Sequence, residues 1–362
     1  GYCIYEGTEY LTGEKLEGLT YEEYTGSFGI AADRRATVYV RIMDGAKNIT
    51  YLSSDSGIVE DDQSTITLTP KSTPQNHIYN SDVAVEVNVE EEIEAGVAYS
   101  GIKEVDYTVT ADGKTTQTGK LFTFGKSSAA YEQLQKSLRK DVVVNAAANN
   151  SSNVVLTVTA TDCAGNVSTA SQKLEIDVTK PAITVSYDNN TANKKKNNRG
   201  YFGDSRVATV VITERSRSFD AAAAMKGIAI TAVDVAGKQV ELDRNAMISS
   251  WTTKEGSTEN EATHTATITY TADANYTFGI SYTDKAGNKN SAVAYGRSVT
   301  PKKFTIDHQA PSGRISVKEK AGWEKTWSKL AEKLTFGLYS AKTVKVTVAA
   351  EDTISGIDRI EY

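Results

Sequence analysis

The chain has 362 residues, enough for about two to three ordinary domains, and a net charge of −6 with acids and bases interspersed, which argues against a nucleic-acid partner. No apolar run reaches the length of a membrane span, and the two cysteines, Cys3 and Cys163, lie too far apart to suggest a disulfide framework. The histidines His77, His264 and His308 share no metal spacing. No nucleophile-elbow, zinc, phosphate-loop or dinucleotide fingerprint occurs, so the chain reads as non-catalytic and no cofactor is expected.

In chain order, the first signal is Asp44-Gly45-Ala46-Lys47-Asn48, followed by Val59-Glu60 and by Ser64, a worn copy of a pattern that recurs twice more. Alternating apolar and polar residues then predict strands over 66–68, 83–89, 102–109, 119–124, 142–144 and 154–161. Between them, Ala130, Tyr131, Leu134 and Leu138 have helical spacing behind a serine cap, which predicts a short helix over 127–138. The full cassette follows: Asp162-Cys163-Ala164-Gly165-Asn166, a last strand over 171–176, then Ile176-Asp177-Val178-Thr179-Lys180-Pro181. The Asp carboxylate can accept from backbone N–H groups ahead of it, Gly supplies a positive φ, and Asn tolerates the next unusual conformation, so this is a hairpin turn. Proline cannot donate to a sheet ladder and suits the first residue of an edge strand.

Lys194 to Arg199 is a basic, polar run expected to be solvated. Strands are predicted over 206–213 and 228–233, a helical turn opened by Asp220 over 219–225, and a hairpin through Ala236-Gly237-Lys238 into 239–242. The cassette returns as Asp284-Lys285-Ala286-Gly287-Asn288, with a last strand over 293–306 that includes a longer excursion, then Ile306-Asp307-His308-Gln309-Ala310-Pro311. Trp323, Trp327, Leu330 and Leu334 have the spacing of an amphipathic helix over 321–334. Finally, Ser355-Gly356-Ile357-Asp358-Arg359-Ile360-Glu361-Tyr362 repeats Ser100-Gly101-Ile102-Lys103-Glu104-Val105-Asp106-Tyr107.

These repeats divide the chain into the C-terminal half of a module (1–63), two whole modules (64–180 and 181–310) and the N-terminal half of another (311–362). The pattern opens and closes in mid-module, so a segment of a longer protein is expected. Neither half alone has the strands to bury a sandwich core. The halves are therefore expected either to complement each other, within one chain or between copies, or to be distinct small domains.

Two classes of site residue stand out. Asp177 and Asp307 are linker carboxylates that could clamp calcium between modules, although turn and linker chemistry accounts for both without metal. Trp251, Trp323 and Trp327 are candidate ligand-binding aromatics, with core packing as the plain alternative. Tyr270, Tyr276, Tyr282 and Tyr295 offer either an interface or ordinary packing.

The strings Asp162 to Asn166, Asp284 to Asn288, Ile176 to Pro181 and Val210 to Asp220 resemble the bacterial immunoglobulin-like repeats of long surface proteins in Gram-positive gut bacteria. The resemblance implies an all-β chain of tandem immunoglobulin-like β-sandwiches in an elongated array, with short accessory helices. It also implies export to the bacterial cell surface and adhesion to a host protein or glycan, with superantigen-like gripping of host immunoglobulin variable domains, mucin binding and a pure spacer as the competing roles.

Overall fold

A computed structural model describes every residue except 8, 92–97, 126–133, 197–198, 297–299, 320–323, 328–343 and 362. Strands hold 49% of the described residues and helices 6%, so the fold is all-β. The chain divides into two compact units, Gly1–Val178 and Thr179–Tyr362.

The first unit opens with β1 (Tyr2–Tyr5), α1 (Glu14–Glu17), β2 (Arg34–Met43), β3 (Ile49–Ser53) and β4 (Gly57–Val59). They form a small antiparallel sheet in the order β1-β2-β3, with β4 also paired to β2. Then come β5 (Thr65–Pro70), β6 (Val83–Glu90), β7 (Ile102–Ala111), β8 (Lys114–Thr123), β9 (Ser137–Val144), β10 (Val154–Asp162) and β11 (Val167–Leu174). They make two sheets, β5-β6-β9 and β11-β10-β7-β8. The period-2 pattern decides the packing: Val83, Val85, Val87 and Val89 from one sheet meet Val154, Leu156, Val158 and Ala160 from the other in one buried cluster. Every strand predicted for this module is present. The helix expected over 127–138 falls mostly outside the described residues, and its last two, Ser137 and Leu138, open β9 instead.

The second unit holds β12 (Ala182–Tyr187), β13 (Lys194–Lys196), β14 (Arg199–Phe202), β15 (Arg206–Glu214), α2 (Ala221–Gly227), β16 (Ile228–Val233), α3 (Arg244–Met247), β17 (Thr252–Lys254), β18 (Ala262–Tyr270), β19 (Ala274–Ile280), β20 (Ala294–Tyr295) and β21 (Lys303–Ile306). Their sheets run β17-β18-β15-β12-β20 and β13-β14-β21-β19-β16. The core between them is aromatic-rich, with Tyr187, Phe202, Tyr270, Tyr276, Phe278, Tyr282 and Phe304 all buried. So Tyr270, Tyr276 and Tyr282 are core residues and offer no exposed interface; each faces inward because its position in the alternation does. Asp220 caps α2 as expected, its side chain accepting from Ala222 and Ala223 N–H.

Three expectations here need correction. Residues 239–242 form no strand. Only the bridge Val233–Gln239 survives of the hairpin, because the chain turns at once into α3, whose N-terminus Asp243 caps. The basic run is no free loop: Lys194–Lys196 pair with β14, and the half-buried Arg199 donates to the carbonyls of Tyr276 and Phe304 at 3.2 and 2.8 Å. The amphipathic helix over 321–334 is contradicted where it can be seen. Glu324–Trp327 are a strand, β23, antiparallel to β22 (Ser312–Glu319), which also pairs with β24 (Val344–Glu351). Backbone pairing to β22 satisfies these N–H and C=O groups between strands, which overrides the helical spacing of the tryptophans.

Candidate functional site

The repeated turn is built the same way each time. Asp162 Oδ1 accepts from Gly165 and Asn166 N–H at 2.6 and 2.8 Å, while Asn166 Nδ2 donates to the second carboxylate oxygen at 2.8 Å. Asp284 accepts from Asn288 N–H at 2.7 Å and from its side chain at 3.0 Å. Asp44 accepts from Ala46 and Asn48 N–H, both at 2.8 Å, and from Asn48 Nδ2 at 2.8 Å. The left-handed residue is the fourth: Gly165 and Gly287 have φ of 100° and 90°, and Lys47 takes the same place in the worn copy at 73°. The asparagine, expected to absorb unusual backbone angles, instead ties the carboxylate down. A further copy went unrecognised in the sequence. Asp234-Val235-Ala236-Gly237-Lys238 closes identically, with Lys238 N–H on Asp234 Oδ1 at 2.8 Å and Gly237 at φ 82°.

In the first unit this turn does more than reverse the chain. Cys163 N–H donates to Gly101 O at 2.9 Å, Ala164 N–H to Ser100 Oγ at 3.0 Å, and Asn166 Nδ2 to Glu60 O at 3.1 Å. The turn thus forms a joint with the segment that carries Glu60. Glu60, the counterpart of Asp177 and Asp307, completes the joint by accepting Ser100 N–H at 2.6 Å. The arrangement recurs in the second unit, where Asp307 accepts the N–H of Ser355, the serine of the second Ser-Gly-Ile copy, at 3.1 Å. Asp352 accepts that same N–H at 2.7 Å.

Strand register explains which acids gather. Ile66 pairs with Val89, Ile183 with Ile212, and Gly313 with Ala350. Two residues beyond each of those partners stands an acid: Glu91, Glu214 and Asp352. At the first joint Glu60, Glu91 and Asp162 are all buried, and each brings a carboxylate oxygen within 4.8 Å of the others. Beside them, Asp33, Asp61 and Asp62 form a second, more exposed group with the same spacing. Loss of hydration, then the neighbouring negative charges, pushes the Glu91 carboxyl up to about 7 against a hydrogen bond from Ser64. Burial raises Glu60 as well. Three desolvated carboxylates this close require a compensating charge, either a proton or a cation. The donor set is all oxygen, which fits a hard divalent ion such as calcium.

The candidates from sequence fall out as follows. Asp177 is fully buried and Asp307 nearly so, but among the described residues the three-acid groups are Glu60, Glu91 and Asp162, and Asp33, Asp61 and Asp62; of the buried group, Glu91 is the member the sequence did not single out. Trp251 is half-buried, edge-on to Phe219 at a ring separation of 5.5 Å, so it packs on the core. His264 stacks flat on the same Phe219 at 3.8 Å. Trp323 lies outside the described residues, and Trp327 stands in β23 at the register position opposite Ile315.

No protein-family model matches the chain, and no curated protein matches it. Among solved structures it is similar to a tetra-tandem repeat from the extending region of a large adhesion protein, at 14% identity and a TM-score of 0.34, covering 90% of this chain and 74% of that one. It is also similar to a structure concerned with host cell surface retention of a 1.5-MDa bacterial ice-binding adhesin, at 15% identity and a TM-score of 0.27, covering 76% of each chain. Murine CEACAM1b matches at 15% identity and a TM-score of 0.22, over 67% of this chain and 99% of that one. TM-scores this low carry no argument about what the chain does.

Proposed function

We propose that this chain is a non-catalytic spacer segment of an extracellular bacterial surface protein that serves adhesion, its modules linked by carboxylate joints that take calcium. One observation carries the reading. The linker acid of one module accepts the N–H of the Ser-Gly-Ile serine that follows it, at Glu60–Ser100 and again at Asp307–Ser355. A joint built twice to the same plan is what a string of like modules needs, because each unit then seats its neighbour in a fixed way. The resemblance of the turn and linker strings to bacterial immunoglobulin-like repeats supports the surface setting. A ligand-gripping role through Trp251 or the tyrosines loses support, because those rings pack inward.

The experiment is retention on the immobilised full chain. Host immunoglobulin and mucin are passed over it in turn. The spacer reading expects neither to be held above a control surface. Antibody retained regardless of its antigen would replace that reading with the superantigen-like one. Mucin retained and released by free sugar would replace it with a glycan-binding one.

A further inference from the structure

We infer that each of the two whole sandwiches is built to carry tension, its exit strand held by a parallel clamp that a pull along the chain loads in shear. The inference rests on the spacer reading, since a spacer with a load attached is what transmits force. Three observations converge on it.

The first is where force enters and leaves. In the second unit, Ala182 at the start of β12 stands opposite Thr213, where β15 finishes. Ile306 at the end of β21 stands beside Phe202 and Ala274, and Phe202 comes four residues before β15 begins. In the first unit, Thr65 stands opposite Glu90, where β6 finishes, and Ile176 pairs with Tyr79, four residues before β6 begins. Each sandwich is thus entered at one end and left at the other, and a pull runs along its strands. Hydrogen bonds loaded in this direction share the force and break together. Bonds between strands pulled apart from one end open singly.

The second is strand direction. Among the described residues, every parallel pairing in the chain involves one of these exit runs. β12 is parallel to β20, Thr184 beside Ala294 and Val185 beside Tyr295, so the entry and exit runs of the second sandwich bond to each other directly. Gly296 N–H donates to Val185 O at 2.9 Å, and the Tyr187 hydroxyl to Pro301 O at 2.7 Å. Beyond them β21 is parallel to β14, and Asp307 N–H donates to Phe202 O at 3.0 Å. The first sandwich repeats the exit: Tyr79 N–H donates to Glu175 O at 2.9 Å and Asp177 N–H to Tyr79 O at 2.8 Å. Parallel strands pulled at the start of one and the end of the other slide past each other, and their evenly spaced bonds all resist that slide.

The third is what a slide uncovers. Phe304, Thr305 and Ile306 in β21 are wholly buried, as are Ile176 and Asp177 in the first sandwich. Drawing either run outward brings apolar surface into water. In the second sandwich it also pulls Phe304 O from the Arg199 guanidinium that donates to it at 2.8 Å. The clamp meets the joint as well. Asp307 donates its N–H to Phe202 and accepts the Ser355 N–H on its carboxylate, so force passes from joint to clamp through a single residue.

The test is unfolding of the full chain under a constant force applied at its two ends, with Gly296→Pro, Gly296→Ala and Asp234→Ala made separately. The second sandwich's step is told from the first's by the length of chain it releases. Proline at 296 deletes the donor to Val185. A Cβ there meets only ordinary contacts, with Ser186 and Val185 at 3.7 Å, so alanine keeps the bond. Asp234→Ala removes a hydrogen bond of like length, 2.8 Å, at a turn off the path from entry to exit. Gly296→Pro is expected to speed the second sandwich's unfolding under load by about 5-fold or more, and the other two variants to unfold as the wild type does. Tyr187→Phe keeps the buried ring, loses the Pro301 bond, and is expected to act as Gly296→Pro does. Circular dichroism verifies that each variant folds. A folded Gly296→Pro or Tyr187→Phe that unfolds under load at the wild-type rate overturns the inference. So does an Asp234→Ala chain that speeds as much as they do, since the loss is then one of general stability. Retention of immunoglobulin or mucin is a separate reading: a failed clamp leaves the spacer role standing, and a failed spacer role leaves the force result unchanged.

Discussion

Replacing Arg206 by alanine is expected to destabilise the second unit by about 3–5 kcal/mol. Arg206 lies wholly inside the aromatic core. Its guanidinium carbon sits 3.8 Å from the ring centre of Tyr187, 4.1 Å from Phe202 and 4.8 Å from Phe304, and Nε donates to Asn189 O at 2.8 Å. Burial draws its pKa down to about 10, so it is still charged at neutral pH, and the ring faces offset part of the lost hydration. Alanine removes both the cation–ring attraction and the packing volume. Methionine keeps most of the volume without the charge, so Arg206→Met is expected to cost less than about 1.5 kcal/mol. Trp251, Trp323 and Trp327 all belong to this unit, so tryptophan fluorescence during urea unfolding reports on it alone. Equal losses for the two variants would mean that the charge, and not the filled space, holds the core.

Asp284→Ala is expected to cost about 2–4 kcal/mol, the second largest single effect. Asp284 is buried, and its loss removes the hydrogen bonds it accepts from the Asn288 N–H and side-chain amide, close in the chain to the buried Ala286. The same substitution ranks the other copies. Asp44 is exposed, so water replaces the carboxylate and the cost falls to about 1 kcal/mol or less. Asp162 should fall between, because removing it also relieves repulsion on Glu60 and Glu91. Urea midpoints for the three variants check the order, and a larger loss at Asp44 than at Asp284 would contradict it.

Turns and strands were legible because their signals are local. Alternation placed β5, β6, β7 and β10 to within two residues and found only the later parts of β8, β9 and β11, and Asp-x-Ala-Gly-Asn marked its own geometry. The copy at Asp234 escaped because Lys238 replaces the asparagine, although the backbone needs only the Asp and the Gly. The joint was half-legible. Asp177, Asp307 and Glu60 were visible as linker acids, but Glu91 joins them only through a strand register that brings together residues distant in sequence. An acid two residues past the last inward residue of β6, β15 and β24 was a signal within reach. The aromatic reading failed for a different reason. A tyrosine in an alternating strand faces inward or outward by phase alone, and at Tyr270 and Tyr276 the phase is inward. At Trp327, the tryptophan spacing fitted a helix, yet the residue belongs to a strand paired with β22.

The joint chemistry is tested most directly by hydrogen exchange of residues 1–178 in the full chain, followed from about pH 5 to pH 8 with and without calcium. Glu91 and Glu60 hold their protons more tightly folded than unfolded. Their stabilising share is therefore complete below the ordinary glutamate range and lost as pH rises through about 7, by up to ~3 kcal/mol. Without calcium, protection of Ser100 and the strands flanking the joint should fall across that window. With calcium saturating the carboxylates, it should stay level, since the ion replaces the proton as the compensating charge. Protection that is flat with pH and unchanged by calcium would contradict the account of Glu60, Glu91 and Asp162 as a charge-compensated module joint.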